Sequence, residues 1–192
     1  MGDNNESDAN ALRQELEQRL QRFSLELHPE KTRLLRFGRY ARTRQKERGL
    51  GKPGTFDFLG LTHVCGRSRA GGFVLMRHSA KKRMTAKLHA IREQLFKRRH
   101  LPIPEQGAWL ASVVRGYFAY FAVPTNGRRI SSFRVEVTRS WLHALRRRSQ
   151  RDRTTWARMH VLADRWLPEA RIQHPWPEQR FDVRTRGRSR VR

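Results

Sequence analysis

Between Ser79 and Trp166, apolar residues recur at three- and four-residue spacing in segments separated by prolines, a rhythm that restricts this half of the chain to packed helices. Met84, Leu88, Ile91 and Leu95 mark one face of a first helix, with Ser79 as its expected cap and an end near residue 99. Pro102 and Pro104 break the chain before a second helix over residues 105–122, which bears Trp109, Val113, Tyr117, Phe118 and Phe121. Pro124-Thr125-Asn126-Gly127 turns it into a third, over 130–148, with Phe133, Val137, Trp141, Leu142 and Leu145 apolar. Three antiparallel helices joined by their apolar faces make a small bundle. A shorter helix over 155–166, with Trp156, Met159 and Leu162, follows.

The earlier residues carry a different pattern. Leu12, Leu16, Leu20 and Phe23 read as one face of a helix. Residues 24–27 and 33–37 are short strand candidates on either side of His28-Pro29-Glu30, whose proline prevents a simple ladder from continuing. Residues 38–54, rich in glycine and basic side chains, read as a mobile connection. Residues 56–64 suit a strand and 73–76 its return, with the turn supplied by Arg67 to Gly72, and Gly116 is expected to allow close helix contact. The expected fold is therefore α+β, mainly α. It comprises a leading helix with short strands and a basic connection (1–54), a β-hairpin (55–78), an antiparallel helical bundle (79–166) and a Pro/Arg-rich tail (167–192). That tail ends on arginines at 184, 186, 188, 190 and 192 and is expected to be disordered alone.

Charge narrows the partner. The chain holds 42 Lys plus Arg against 17 Asp plus Glu, a formal net charge of +25, as expected of a surface that meets polyphosphate. Seven of the basic residues are lysine and 35 arginine, and the planar arginine fork binds phosphate bidentately and stacks on bases. Residues 58–192 carry 30 basic and 8 acidic side chains, so binding should centre there. Neither a lipid anchor signature nor an apolar run long enough to span a bilayer is evident, so no membrane partner is expected. The polar, acidic first ten residues do not read as a secretory leader, so a cytoplasmic location is the expectation.

The strongest binding candidate is the basic surface of the first bundle helix: Lys81, Lys82, Arg83, Lys87, Arg92, Lys97, Arg98 and Arg99. A solvated helix face is the alternative, but Glu93 is its one acidic residue, so intrahelical pairing does not explain the run. Arg146, Arg147 and Arg148, with Arg151 and Arg153, form a second cluster, beyond what a helix dipole needs. Arg128 and Arg129 lie in the preceding turn, and Arg67, Arg69 and Arg77 lie on or beside the hairpin. Trp109, Tyr117 and Tyr120 suit base stacking, although helical spacing favours the core. His63, Cys65 and His78 lack a fourth ligand, and the single cysteine excludes an internal disulfide. No metal site, cofactor or catalytic residue is expected.

Four blocks in order, His28-Pro29-Glu30-Lys31-Thr32, Phe58-Leu59-Gly60, Gly116-Tyr117-Phe118-Ala119-Tyr120-Phe121, and Trp166-Leu167-Pro168 with His174-Pro175-Trp176-Pro177, resemble reverse transcriptases encoded by group II introns. The resemblance covers the stretch that follows the polymerase catalytic loop and runs through the thumb and maturase region. It implies that residues 1–54 are the end of a palm, that the hairpin corresponds to one holding the primer end, that Lys31 is a basic group near the substrate strand, and that the later helices bind structured intron RNA. In that family a Tyr-Ala-Asp-Asp loop holds the catalytic magnesium ions, and no Asp-Asp pair occurs in this sequence. The expectation is a truncated family member, not an enzyme on its own, that binds group II intron RNA for splicing or retromobility. DNA and a separately encoded N-terminal half are further candidate partners. The competing readings are a non-functional remnant of a mobile element and an unrelated basic DNA-binding module.

Overall fold

The computed structural model describes residues 6–149 and 152–179. The chain is α+β and mainly helical, and it divides between Thr55 and Phe56 into two units. The arginine-rich end of the expected tail and Arg151 lie outside the described residues.

The first unit contains α1 (Glu6–Gln21) and α2 (Ala41–Glu47). Left-handed Ser24 (φ 56°) ends the turn after α1, where the Leu25 amide donates to the Leu20 carbonyl at 3.1 Å. Three of the four residues of the expected apolar stripe are exposed, Leu12 by 59% and Phe23 by 70% among them, and Leu20 is partly buried. Neither segment 24–27 nor 33–37 forms a strand. A strand exists only with a neighbour to complete its ladder, and the described residues of this unit supply none. The stretch expected to be a mobile connection instead folds its middle into α2. Its glycines close that helix: Gly49 (φ 66°) donates to the Lys46 carbonyl and Leu50 to that of Gln45, the paired bonds of a Schellman end.

The second unit opens with β1 (Phe56–Phe58), β2 (Leu61–Arg67) and β3 (Phe73–Ser79), an antiparallel sheet in that order. The expected single strand over 56–64 is thus two. Leu59 and Gly60 both have positive φ (49° and 75°), the signature of a two-residue hairpin turn, and Phe58 pairs with Leu61 across it. The β2–β3 hairpin registers Leu61 on Ser79 and Arg67 on Phe73, longer than the return expected over 73–76.

Four helices follow: α3 (Lys81–Lys97), α4 (Ile103–Phe121), α5 (Gly127–Arg146) and α6 (Trp156–Trp166). Leu88, Ile91 and Leu95 of α3 meet Leu110, Val114 and Phe118 of α4, then Phe133, Val137 and Trp141 of α5. Met159 and Ala163 of α6, with Leu167, close the remaining side. Ser79 is not the cap of α3. Ala80 occupies that position, and Ser79 stays in the sheet with its side chain turned to Asn126. Gly116 is not a contact point either, because a Cβ there would meet open space. Gly107 is: a Cβ on it would fall 2.6 Å from the Trp166 indole. The start of the expected tail is docked, with Leu167 buried and the Gln173 and His174 amides both donating to the Ala122 carbonyl.

Two buried amides pin the ends of this bundle. Asn126 accepts from the Ser79 amide (2.9 Å) and donates to Ser79 Oγ and the Phe121 carbonyl, joining β3, α4 and α5. At the other end Gln106 Nε2 lies 2.9–3.2 Å from the carbonyls of Arg98, Arg99 and Leu101, while its Oε1 accepts from the Trp141 indole at 2.8 Å. Gln106 thereby satisfies the carbonyls released where α3 ends. Since Ser79 sits beside the start of α5 and Arg99 beside its end, α3 and α5 run parallel, with α4 antiparallel between them in sequence.

Candidate nucleic-acid interface

Parallel packing brings the C-terminal halves of α3 and α5 side by side, so the side chains left outside the core line a shared groove of about 760 Å³. Arg92, Phe96, Lys97 and Arg99 come from the α3 side, and Arg139, His143 and Arg147 from α5. The α5 residues repeat every four positions, which stacks them along one stripe. Ser140 and Ala144, both small and buried, lie low in the groove. Glu93 is the one carboxylate among the lining residues. Glu136 holds Arg139 and Arg92 in a shared ion pair, the Arg92 arm at 3.7 Å; Arg92 also donates to Ser140 Oγ at 3.3 Å. Those contacts orient two guanidinium groups and leave the groove with an excess of positive charge. Exposed ion pairs of this kind add little stability, so the arrangement matters chiefly for the local field.

The cations expected on one face of α3 occupy two flanks. Residues advance about 100° per position around a helix, and the buried Leu88, Ile91 and Leu95 divide the remainder. Arg92 and Lys97 reach the α5 groove, and Lys81 and Lys82 line a second hollow beside the sheet with Asp57. Lys87 and Arg83 fall on the other flank, the Arg83 stem near Gly60 and Phe121, as does Arg98, whose guanidinium lies 5.1 Å from the Trp109 ring. The run Arg146-Arg147-Arg148 is divided similarly. Arg146 donates to the Thr154 carbonyl (2.9 Å) and Arg148 to the carbonyls of Arg99 and Leu101, closing the C-terminal ends of the helices, while Arg147 lines the groove.

Other candidates sit elsewhere. Arg67 and Arg69 are exposed at the tip of the β2–β3 hairpin, at the far end of the ladder from α3. Arg153 lines a hollow beside Ile103 and Leu162. Lys31 is exposed in a turn of the first unit, its amide donating to the His28 carbonyl. Arg128 and Arg129 are exposed in the first turn of α5. Burial and the Arg129 charge together push His78 below the ordinary histidine range. The Arg77 backbone is held on both sides by Thr125 Oγ1, which covers the outer edge of β3 and requires Thr125 to take φ 75°, a costly conformation for a β-branched residue. Two buried polar groups nearby, Arg77 Nε and the Tyr117 hydroxyl, lack a hydrogen-bond partner; Ser79 lies alongside that hydroxyl without closing a bond, and burial raises Tyr117 above its ordinary pKa.

The aromatic candidates divide as well. Tyr117 stacks on Phe133 with centroids 3.6 Å apart and belongs to the core. Tyr120 is half exposed, and its hydroxyl donates to the Leu59 carbonyl at 2.8 Å, tying α4 to the β1–β2 turn. Trp109 is partly buried. The exposed aromatic beside the cations is Phe96, together with Arg139 and His143 the part of the site that linear reading passed over. The signal was the four-residue repeat 139–143–147, hidden because its middle member is neutral.

His63 stacks on Phe56 at 4.8 Å, and the register pairs it with Arg77, while His78 pairs with Thr62. Successive residues of a strand face opposite ways, so His78 points away from the face that His63 and Cys65 share. Among the described residues, no three His, Cys, Asp or Glu are grouped to hold a metal ion, and no helix is long and apolar enough to cross a membrane. No family model, curated protein or solved structure matches the chain.

Proposed function

We propose that these residues form an RNA-binding thumb and maturase region of a group II intron-encoded reverse transcriptase, engaging structured intron RNA to assist splicing or retromobility in the cytoplasm. The observation that carries this reading is the α3–α5 groove: cations fixed on two parallel helices, with few carboxylates, behind a sheet and in the sequence order of the resembling family. RNA folds crowd phosphates together. Guanidinium groups held on a rigid bundle neutralise them and release counterions, and the spacing of the helices sets the docking register.

The magnesium ions of family polymerases require clustered carboxylates. The sequence has no Asp-Asp pair and the described residues group no such ligands, so polymerase chemistry is not assigned to them. DNA is a second electrostatic partner on this reading, and a separate polymerase half is a third.

Affinity for a structured intron RNA should fall steeply as salt rises. Lys97→Glu with Arg147→Glu should reduce it by about tenfold or more through the loss and reversal of phosphate contacts. An affinity indifferent to both salt and this double charge reversal would defeat the proposal. Primer extension on an RNA template by this chain alone would defeat its non-enzymatic part.

A further inference from the structure

Phe96 lies on the flank of α3 that lines the α5 groove, beside the buried face of Leu88, Ile91 and Leu95, and remains 54% exposed. The Arg99 guanidinium lies over its ring, 4.5 Å from the centroid, and Lys97, Arg139 and Arg147 line the same groove. Phosphate binding alone does not call for an exposed phenyl ring among cations. A flat apolar ring stacks on a flat base, and it does so for any base identity, because every base has a π-face. The groove's volume of about 760 Å³ lies within the range of roughly 300–1,000 Å³ typical of small-molecule clefts, room enough for one base. A paired stem cannot use the ring, since its base faces are covered by neighbouring bases, whereas a bulged or looped nucleotide can.

We propose that the α3–α5 groove receives an unpaired nucleotide of the bound RNA, its base stacked on Phe96 and its flanking phosphates on Arg139 and Arg147. This rests on the RNA-binding reading above and specifies which part of an RNA the groove selects. Arg99 covers one face of the ring and holds it in place, and Ser140 and Ala144 leave depth because they are small.

The test is fluorescence anisotropy of the full chain with two labelled RNA hairpins of equal length, each closed by a flexible non-nucleotide linker so that no loop base is unpaired, one with a fully paired stem and one with a single bulged purine. Phe96→Ala should weaken binding of the bulged hairpin by about tenfold, the effect of losing one base stack, and leave the paired hairpin unchanged. Phe96→Leu keeps apolar volume without a ring and should lose the same preference. Arg147→Ala should weaken both hairpins and reduce the salt slope by about one phosphate contact. Circular dichroism should show all three variants folded, since neither side chain enters the core. If Phe96→Ala leaves the bulged hairpin unaffected, or weakens both hairpins alike, the groove proposal falls while RNA binding stands. If the unaltered chain binds neither hairpin in a salt-sensitive way, both readings fall.

Discussion

The two units of this chain carry the same kind of helical signal and use it differently. In the second, the apolar stripes of α3, α4, α5 and α6 face one another, and eighteen buried residues form one continuous core. In the first, α1 has a stripe of equally regular spacing, yet Leu12 and Leu16 are 59% and 46% exposed. Periodicity specifies which face a helix would bury. Whether anything is buried depends on a partner with a complementary face, and most helix stability in water comes from that packing. The comparison also separates two uses of arginine: in the second unit Arg134 and Arg148 are spent on backbone carbonyls of neighbouring elements, so a high arginine count overstates the cations left for a ligand.

The sharpest way to break the comparison is to truncate one residue from each stripe. Phe133 is fully buried and stacked on Tyr117, so Phe133→Ala should cost roughly 3–5 kcal/mol. Leu16→Ala should change stability by less than about 0.5 kcal/mol. All five tryptophans lie in the second unit, so their fluorescence during denaturant unfolding reads Phe133→Ala, while far-UV circular dichroism, to which the helices of both units contribute, reads Leu16→Ala. A large loss from Leu16→Ala, or none from Phe133→Ala, would remove the distinction between the units.

Removing a buried polar tie is next in size. Gln106→Leu keeps the volume, leaves the buried Trp141 indole N–H without its acceptor and removes one of the donors to the Arg98, Arg99 and Leu101 carbonyls, at a cost of about 1–3 kcal/mol. Native-state hydrogen exchange should show protection lost first around the end of α3 and the start of α4. If exchange instead accelerates uniformly, Gln106 is not a local pin.

Two glycines of α4 give a smaller and opposite pair of effects. Gly107→Ala pushes a methyl against the Trp166 indole and should destabilise by about 1–3 kcal/mol. Gly116→Ala enters open space within a helix and should stabilise by about 0.5–1 kcal/mol. A midpoint that rises for Gly107→Ala as it does for Gly116→Ala would show that α6 does not seat on Gly107.

Bundle architecture was legible because proline breaks and four-residue apolar spacing are local signals. Four helices and a hairpin follow from them within a few residues. Features set by tertiary contact were not legible. Ser79 looks like a cap in sequence because its chemistry suits one, but Asn126, forty-seven positions later, takes its hydrogen bonds. Leu59-Gly60 reads as part of a strand, since leucine rarely adopts positive φ, and the turn forms because Tyr120 from α4 holds the Leu59 carbonyl. The candidate site behaves the same way. Lys97, Arg99 and Arg147 could be picked from charge alone, whereas Phe96, Arg139 and His143 join them only once α3 and α5 are known to run parallel.

The smallest expected effect tests how tightly the sheet end of the bundle is closed. His78 sits where β3 nears the start of α5, and burial first, then the Arg129 charge, disfavour protonation of its imidazole in the folded chain. Its folded pKa is lowered from the ordinary 6.5, so the unfolded chain binds the proton more readily in the window below that value. The stability it contributes is therefore fully present above pH 6.5 and is lost as the pH falls from there through the depressed folded pKa. His78→Gln has no proton to gain. Between about pH 7.5 and pH 5.5, the thermal midpoint of the unaltered chain should fall more than that of His78→Gln, by no more than about 3 °C because the residue is only partly buried. Equal falls in the two proteins would mean that Arg129 does not bear on His78 and that the sheet end is more open to solvent than its Asn126 and Thr125 ties imply.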